Sequence, residues 1–181
     1  MLDRPPRPRP LAMPENGRLI VEQIPHLRRY ALALLGNRAE ADDLVQDCLE
    51  RAWSRIGLWR RGGSIRPWLF TIMHNLYVNG ISRRRSGPQF QALPEDIAAA
   101  VPAEQETRAE ARNVSAALAL LPPEQREVLI LVAVEEMGYA EAAAVLGIPI
   151  GTVMSRLHRA RERLRAITSG SPGGPVLRRV K

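Results

Sequence analysis

Arginine side chains that could bind phosphate groups and bases are concentrated in one stretch, GIPIGTVMSRLHRARERLR at residues 147–165. At about 100° per residue, a narrow apolar stripe runs along one side of a predicted helix and consists of Val153, Leu157, Ala160 and Leu164. The other side is polar and basic. It is either a solvated charged surface, the usual meaning of such a pattern, or a nucleic-acid surface.

Side chains that could perform catalysis are few and scattered. His26, His74 and His158 lie far apart in the sequence, and Cys48 falls on the apolar face of a predicted helix. The sequence has no phosphate-cradling glycine loop, metal-ligand spacing or nucleophile elbow. We therefore predict that the chain is not an enzyme and uses no cofactor or metal, and that Cys48 is a buried structural thiol.

The composition predicts a helical protein with an anionic partner. Ala, Leu, Arg and Glu abound, whereas aromatic residues make up 4% of the chain. The formal charge of +7 favours nucleic acid as the partner, with an anionic membrane surface second. One cysteine fits a reducing compartment, and the sequence shows neither a secretory signal nor an apolar run of the roughly 20 residues that span a bilayer. We expect a cytoplasmic protein without stable membrane insertion.

Proline and glycine clusters divide the chain into two predicted helical domains. Residues 1–17 are rich in Pro and Arg and are predicted to be a disordered tail. The first domain covers 18–86, a linker with three prolines covers 87–104, the second domain covers 105–167, and a disordered basic tail covers 168–181. The predicted fold is therefore all-α, with two small helical domains joined by a flexible linker and a helix-turn-helix in the second.

A helix predicted to begin at Ala39 has one apolar face and one acidic face. Its apolar side carries Leu44, Val45, Cys48, Leu49, Ala52, Trp53 and Ile56, and the opposite side carries Asp43, Gln46, Asp47 and Glu50. In a chain of charge +7, this acidic face is either a solvated surface or a docking surface. A docking partner would be a basic protein, because phosphate would repel the carboxylates.

The following helix, IRPWLFTIMHNLYVNGISRRRS, combines aromatic, amide and basic side chains. Its predicted buried side carries Leu69, Ile72, Met73, Leu76 and Gly80. Trp68, Phe70 and Tyr77 are predicted to lie partly off that side, beside His74, Asn75 and Asn79. Rings on which bases stack, followed by cations for the backbone, suit single-stranded nucleic acid, although aromatic residues at helical spacing are more often part of a core.

The second domain ends in a helix-turn-helix pattern. A short helix, YAEAAAVLG, precedes a three-residue Gly-Ile-Pro turn and the basic helix that fills the rest of residues 147–165. Gly147 is predicted to adopt the left-handed conformation that ends the short helix. The basic helix could then enter a major groove of DNA.

In this order, the segments DDLVQDCLERAW, RPWLFTIMHNLYVNGISRRR and LPPEQREVLILVAVEEMGYAEAAAVLGIPIGTVMSRLHRARERLR resemble the sigma-70 family of bacterial RNA polymerase initiation factors. The similarity is to the two-domain extracytoplasmic-function (ECF) subgroup and covers about residues 20–167. It implies that 18–86 is sigma region 2, which binds core polymerase and recognises and melts the −10 element. It also implies that 105–167 is sigma region 4, which reads the −35 element.

The resemblance also implies roles for individual residues. The residues implied to bind the β′ subunit of core polymerase are Asp43, Gln46, Asp47 and Glu50. Those implied at the −10 DNA, with a base-capturing loop at 58–64, are Arg60, Arg61, Trp68, Asn75, Asn79, Arg83 and Arg84. Those implied at the −35 DNA are Thr152, Met154, Ser155, Arg156, His158, Arg159, Arg161 and Arg163. The implied partners are core polymerase through its β′ and β subunits, promoter DNA and an anti-sigma factor.

Two alternative binding functions are open. A free-standing transcriptional regulator would use the same helix-turn-helix but would leave the acidic face and the aromatic helix of the first domain unexplained. A sigma-like decoy that sequesters an anti-sigma factor would be fused to a phosphoreceiver domain, for which we expect no room in 181 residues.

Overall fold

The computed structural model describes residues 15–59, 63–86 and 114–169 and shows helices throughout these ranges. The first domain contains α1 (Glu15–Leu35), α2 (Arg38–Arg55), a 3₁₀ turn (Ile56–Leu58) and α3 (Ile65–Ser86). The second contains a helical segment at 114–119 (α4), α5 (Pro123–Leu129), a π-helical continuation (Ile130–Val134), α6 (Tyr139–Leu146) and α7 (Ile150–Ser169). The all-α prediction is confirmed. Helix α1 begins at Glu15, inside the segment predicted to be a tail.

The turn between α1 and α2 combines a glycine that ends one helix with an asparagine that caps the next. Gly36 ends α1 in the left-handed conformation, with φ of 69°. A residue with a side chain would be strained in this conformation. Asn37 then caps α2, because its side-chain oxygen accepts a hydrogen bond of 3.0 Å from the Glu40 amide. The two helices are therefore joined by a turn short enough to pack them side by side.

The core of the first domain is formed by one side of each of its three long helices. Fully buried members include Leu27 and Tyr30 of α1, Cys48 of α2, and Leu69 and Met73 of α3. Each large apolar side chain removed from water in this way contributes about 1.5–3 kcal/mol. The core therefore fixes which sides of α2 and α3 remain available for partners.

Three aromatic positions differ from the sequence prediction. Phe70 and Tyr77 are buried, with exposed fractions of 0% and 6%, and Phe70 packs edge-on against Tyr30 with ring centroids 5.1 Å apart. Helix α3 packs on α1 and α2 and also on α6, so its buried side is wider than a single neighbour would require. Trp53, in contrast, is 53% exposed, because Ala52 takes the core position in that turn of α2.

The two domains pack against each other. Helix α3 lies on α6, and α1 lies on α5 and its π-helical continuation. Arg126 of α5 donates a hydrogen bond of 2.7 Å to the Leu34 carbonyl, at the C-terminal end of α1 where a cation is favourable. The sequence did not predict this contact. No single helix in the described ranges is long and apolar enough to cross a membrane, although α6 and α7 pass that test as a pair bent by 102°.

Candidate functional site

The helix-turn-helix has the geometry predicted for it. Gly147 ends α6 with φ of 63°, and its amide bonds back to the Ala143 carbonyl. At the start of α6, the Glu141 carboxylate accepts a 3.2 Å hydrogen bond from the Gly138 amide and so supplies an N-terminal cap. The Pro149 carbonyl then accepts hydrogen bonds from the Thr152 and Val153 amides in the first turn of α7, at 2.9 and 3.2 Å.

Helix α7 has one packed side and one polar side, as predicted. Val153, Leu157 and Ala160 are buried, and Leu164 is partly buried against the same core. Among the residues implied at the −35 DNA, those that are exposed are Met154, His158, Arg159, Arg161 and Arg163. Those that are half-buried are Thr152, Ser155 and Arg156.

The exposed side of α7 is strongly cationic. It carries arginines at positions 156, 159, 161, 163 and 165, and Glu162 is the one carboxylate of the helix. Glu162 lies 3.4 Å from His158, and the Ser155 hydroxyl donates to the Thr152 carbonyl at 3.1 Å. Guanidinium groups spread along an exposed helix can bind phosphates on both sides of a groove while shorter side chains reach the bases.

The predicted acidic face of α2 is fully available. Asp43, Gln46, Asp47 and Glu50 are exposed, and the Gln46 side chain donates to Glu50 at 3.1 Å. Among the described residues, Asp43 and Asp47 have no hydrogen-bond or ion-pair partner. Asp42, by comparison, lies 3.6 Å from Arg28.

Cys48 lies on the buried side of the same helix. Its thiol is 3.5 Å from the Leu69 carbonyl, to which it donates, and burial raises the pKa of the Cys48 thiol to about 12. A thiol that stays protonated is a poor nucleophile, so the geometry agrees with a structural role.

The residues implied at the −10 DNA are only partly brought together. Asn75 and Asn79 are exposed on α3, one turn apart, and Trp68 is half-buried against the core. Arg60 and Arg61 lie outside the described residues. Arg83 and Arg84 lie in the last turns of α3, where the backbone alone is described.

Two buried carboxylates, Glu127 and Glu135, were missed by the sequence analysis. Both are contributed by the second domain and bind side chains of the first. Glu127 lies in α5, and Glu135 lies directly after the π-helical continuation, so both flank the buried apolar run that contains Leu131. Carboxylates on the buried side of an apolar run were the available signal.

Comparison with known proteins identifies the family. Family models match two segments: the Sigma2 domain of PhyR matches residues 20–74, and Sigma-70, region 4 matches residues 111–164. The ECF RNA polymerase sigma factor EcfG of Rhodopseudomonas palustris is 38% identical over 150 residues, which cover 82% of each chain. The chain belongs to the ECF sigma factors. These proteins are non-enzymatic transcription initiation factors that direct RNA polymerase to promoters.

Other ECF sigma factors extend the comparison. SigE of Mycolicibacterium smegmatis is 35% identical over 160 residues, covering 85% of this chain and 62% of that protein. The sigma factor RpoE from Bartonella quintana, solved in complex with the anti-sigma factor NepR, superimposes with a TM-score of 0.72 and 31% identity, covering 86% of this chain and 97% of that one. A free-standing regulator is not favoured, because these matches include both helical domains.

Proposed function

We propose that the acidic face of α2 is the surface on which this ECF sigma factor docks core RNA polymerase. The observation that carries the proposal is that Asp43 and Asp47 are exposed and unpaired among the described residues, in a protein of charge +7. The net charge of the chain would attract DNA, whereas these carboxylates would be repelled by it. They therefore suit a basic protein surface, and on the family resemblance we propose that this surface belongs to the β′ subunit and that the β subunit is a second contact.

The test is a charge reversal with a matched control. Asp43→Lys and Asp47→Lys, singly and together, should weaken association with core polymerase, while circular dichroism remains that of the wild type. Glu22→Lys makes the same change of charge at an exposed position on α1 and should leave association intact. If the double variant binds core as tightly as Glu22→Lys does, the docking surface is assigned wrongly.

We assign −35 recognition to α7, within a region 4 that covers 105–167. Ser155 and Arg159 lie about one turn apart on its polar side, where both can reach base edges. Met154 is 50% exposed and can contact a thymine methyl group, although it cannot donate to guanine. The side chains assigned to phosphates are Arg156, Arg161 and Arg163, and those that complete the surface are Thr152 and His158.

We assign −10 recognition and melting to α3 and the loop before it, within a region 2 that covers 18–86. The exposed amides of Asn75 and Asn79 support this assignment, and Trp68 would contact the same strand. Arg60, Arg61, Arg83 and Arg84 would supply charge for the backbone. Because Phe70 and Tyr77 are buried, fewer aromatic rings are available for base stacking on this surface than the sequence suggested.

The remaining proposals follow from the same role. The RpoE relative was solved with the anti-sigma factor NepR, and on that likeness we propose that an anti-sigma factor also controls this chain. We propose that the chain acts in the cytoplasm, where polymerase and promoter DNA are found, and that it needs neither catalysis nor a cofactor of its own.

A further inference from the structure

The carboxylate of Glu135 is completely buried in a cluster of cationic and imidazole groups from the first domain. Arg66 of α3 donates to its Oε2 at 2.7 Å and to its backbone carbonyl at 2.6 Å. Arg29 of α1 donates to Oε1 at 3.2 Å, and the His26 Nδ1 lies 2.8 Å from Oε2. These contacts join residues that are 69 to 109 positions apart in the sequence.

Glu127 forms a second contact of the same kind. Its Oε1 accepts a 3.0 Å hydrogen bond from the Tyr30 hydroxyl and lies 2.5 Å from Nδ1 of His74. Burial, followed by the charge of Glu127, raises the pKa of Tyr30. Within the described residues, every polar partner of the two carboxylates belongs to the first domain.

Neither domain alone supplies a reason to bury these carboxylates. If the domains separated, Glu127 and Glu135 would return to water, and so would the buried part of Arg66, whereas Arg29 is already exposed. Buried ion pairs contribute little net free energy, because the cost of desolvation offsets the attraction. Removing one partner, however, leaves the opposite charge buried without compensation, so loss of the carboxylates should favour separation of the domains.

In the closed arrangement, the surfaces assigned to the two promoter elements are too close together to contact both elements at once. By their names, the elements are centred about 25 base pairs apart, which is roughly 80 Å along B-DNA. Asn75 is adjacent to His74, which is bound to α5, and α5 packs on α7. A path from Asn75 through these contacts to the polar side of α7 is no longer than roughly 50 Å.

We propose that Glu127 and Glu135 form an interdomain latch, which holds this sigma factor in a closed state that cannot engage a complete promoter. The latch consists of Glu127 with Tyr30 and His74, and of Glu135 with His26, Arg29 and Arg66. Opening it frees α3 and α7 to move apart onto the two elements. The part of the proposal that concerns promoters rests on the proposed function. Closure itself does not.

The first experiment measures closure in the free chain. Spin labels on Ser54→Cys of α2 and Arg165→Cys of α7, both exposed sites, report the distance between the domains in a Cys48→Ala background. With the unmodified latch, the distances between the labels should form one narrow distribution at short values. With Glu127→Gln and Glu135→Gln, the distribution should be broad and extend to longer distances. Glu136→Gln makes the same kind of substitution, with loss of one charge, at the exposed neighbouring position and should leave the narrow distribution unchanged.

A second variant approaches the latch from the other domain. His26→Gln with Arg29→Gln alters α1 alone, away from the surfaces assigned to polymerase and DNA, and should broaden the distribution in the same way. Circular dichroism should show the helical content of the wild type for both variants. Narrow distributions in both would overturn the proposal. Because this measurement needs no polymerase, failure of the docking or promoter assignments cannot produce that result.

The second experiment asks whether closure restrains promoter engagement. If the open fraction rises from about one tenth to nearly all molecules, apparent affinity for core polymerase on promoter DNA rises about tenfold. Run-off transcription should then reach half-saturation at a correspondingly lower concentration of the Glu127→Gln, Glu135→Gln variant than of Glu136→Gln. A merely structural role for the carboxylates predicts the opposite direction. Equal or higher half-saturating concentrations for an open variant would overturn the inhibitory role of the latch.

Discussion

The polar side of α7 and the carboxylates of Glu127 and Glu135 are charged groups of one domain with opposite fates. The arginines of α7 remain in water, whereas both carboxylates are buried against the first domain. Helical period identifies which side of a helix packs within its own domain. It does not show which side a second domain covers. The exposure of the charged groups therefore distinguishes surfaces available for partners from surfaces used for closure.

The largest expected effect tests the packed side of α7 against its exposed side. Leu157→Ala should lower the free energy of unfolding by about 2–5 kcal/mol, because the side chain is almost fully buried and leaves a cavity. Met154→Ala, three residues earlier on the polar side, should change it by less than about 0.5 kcal/mol. Denaturant unfolding of the two variants measures both values, and comparable losses would show that the helix is rotated about its axis.

A smaller effect distinguishes base readers from phosphate binders on the exposed side. Arg159→Ala should reduce the free energy of promoter binding by about 1–3 kcal/mol and relax the base preference at one −35 position. Arg163→Ala should weaken all promoters similarly and reduce the salt dependence by about one unit. Transcription of a −35 library by the two holoenzymes checks these outcomes. A uniform loss for Arg159→Ala with a changed base preference for Arg163→Ala would reverse the two assignments, and no effect from either would leave a solvated surface.

The effect that is smallest near neutral pH concerns a buried group in the first domain. The pKa of the Cys48 thiol is raised to about 12 in the folded chain, so ionisation favours the unfolded chain. The contribution of this thiol to the free energy of unfolding is therefore fully present below the ordinary thiol pKa and is lost as pH rises from about 9 towards 12. The midpoint temperature of thermal unfolding should decline less steeply with pH over that range in Cys48→Ala than in the wild type. Identical slopes would contradict the burial of the thiol.

Much of the fold could be predicted from the sequence because it depends on local rules. Gly36, Asn37 and Gly147 specify turns through their own backbone and side-chain chemistry, and the stripe of Val153 and Leu157 specifies how α7 packs. The availability of Asp43 and Asp47 follows from the same periodicity, since Cys48 and Ala52 occupy the opposite side of α2.

The remainder depends on contacts between residues distant in the sequence. Phe70 and Tyr77 are buried because α3 has neighbours in both domains, which its own pattern does not reveal. Glu127 and Glu135 read as ordinary acidic residues until His74 and Arg66 are placed beside them. The assignments to polymerase and to each promoter element remain predictions.

The central claim is that the exposed charged faces serve polymerase and promoter while the buried carboxylates serve closure. Run-off transcription by purified core polymerase on a genomic library, with and without the chain, tests it most directly. We predict discrete start sites that require the chain and disappear with Asp43→Lys and Asp47→Lys, while Glu127→Gln with Glu135→Gln retains the same start sites at lower protein concentration. A sequence-specific footprint of the chain without polymerase, with start sites unaffected by the α2 charge reversals, would contradict it.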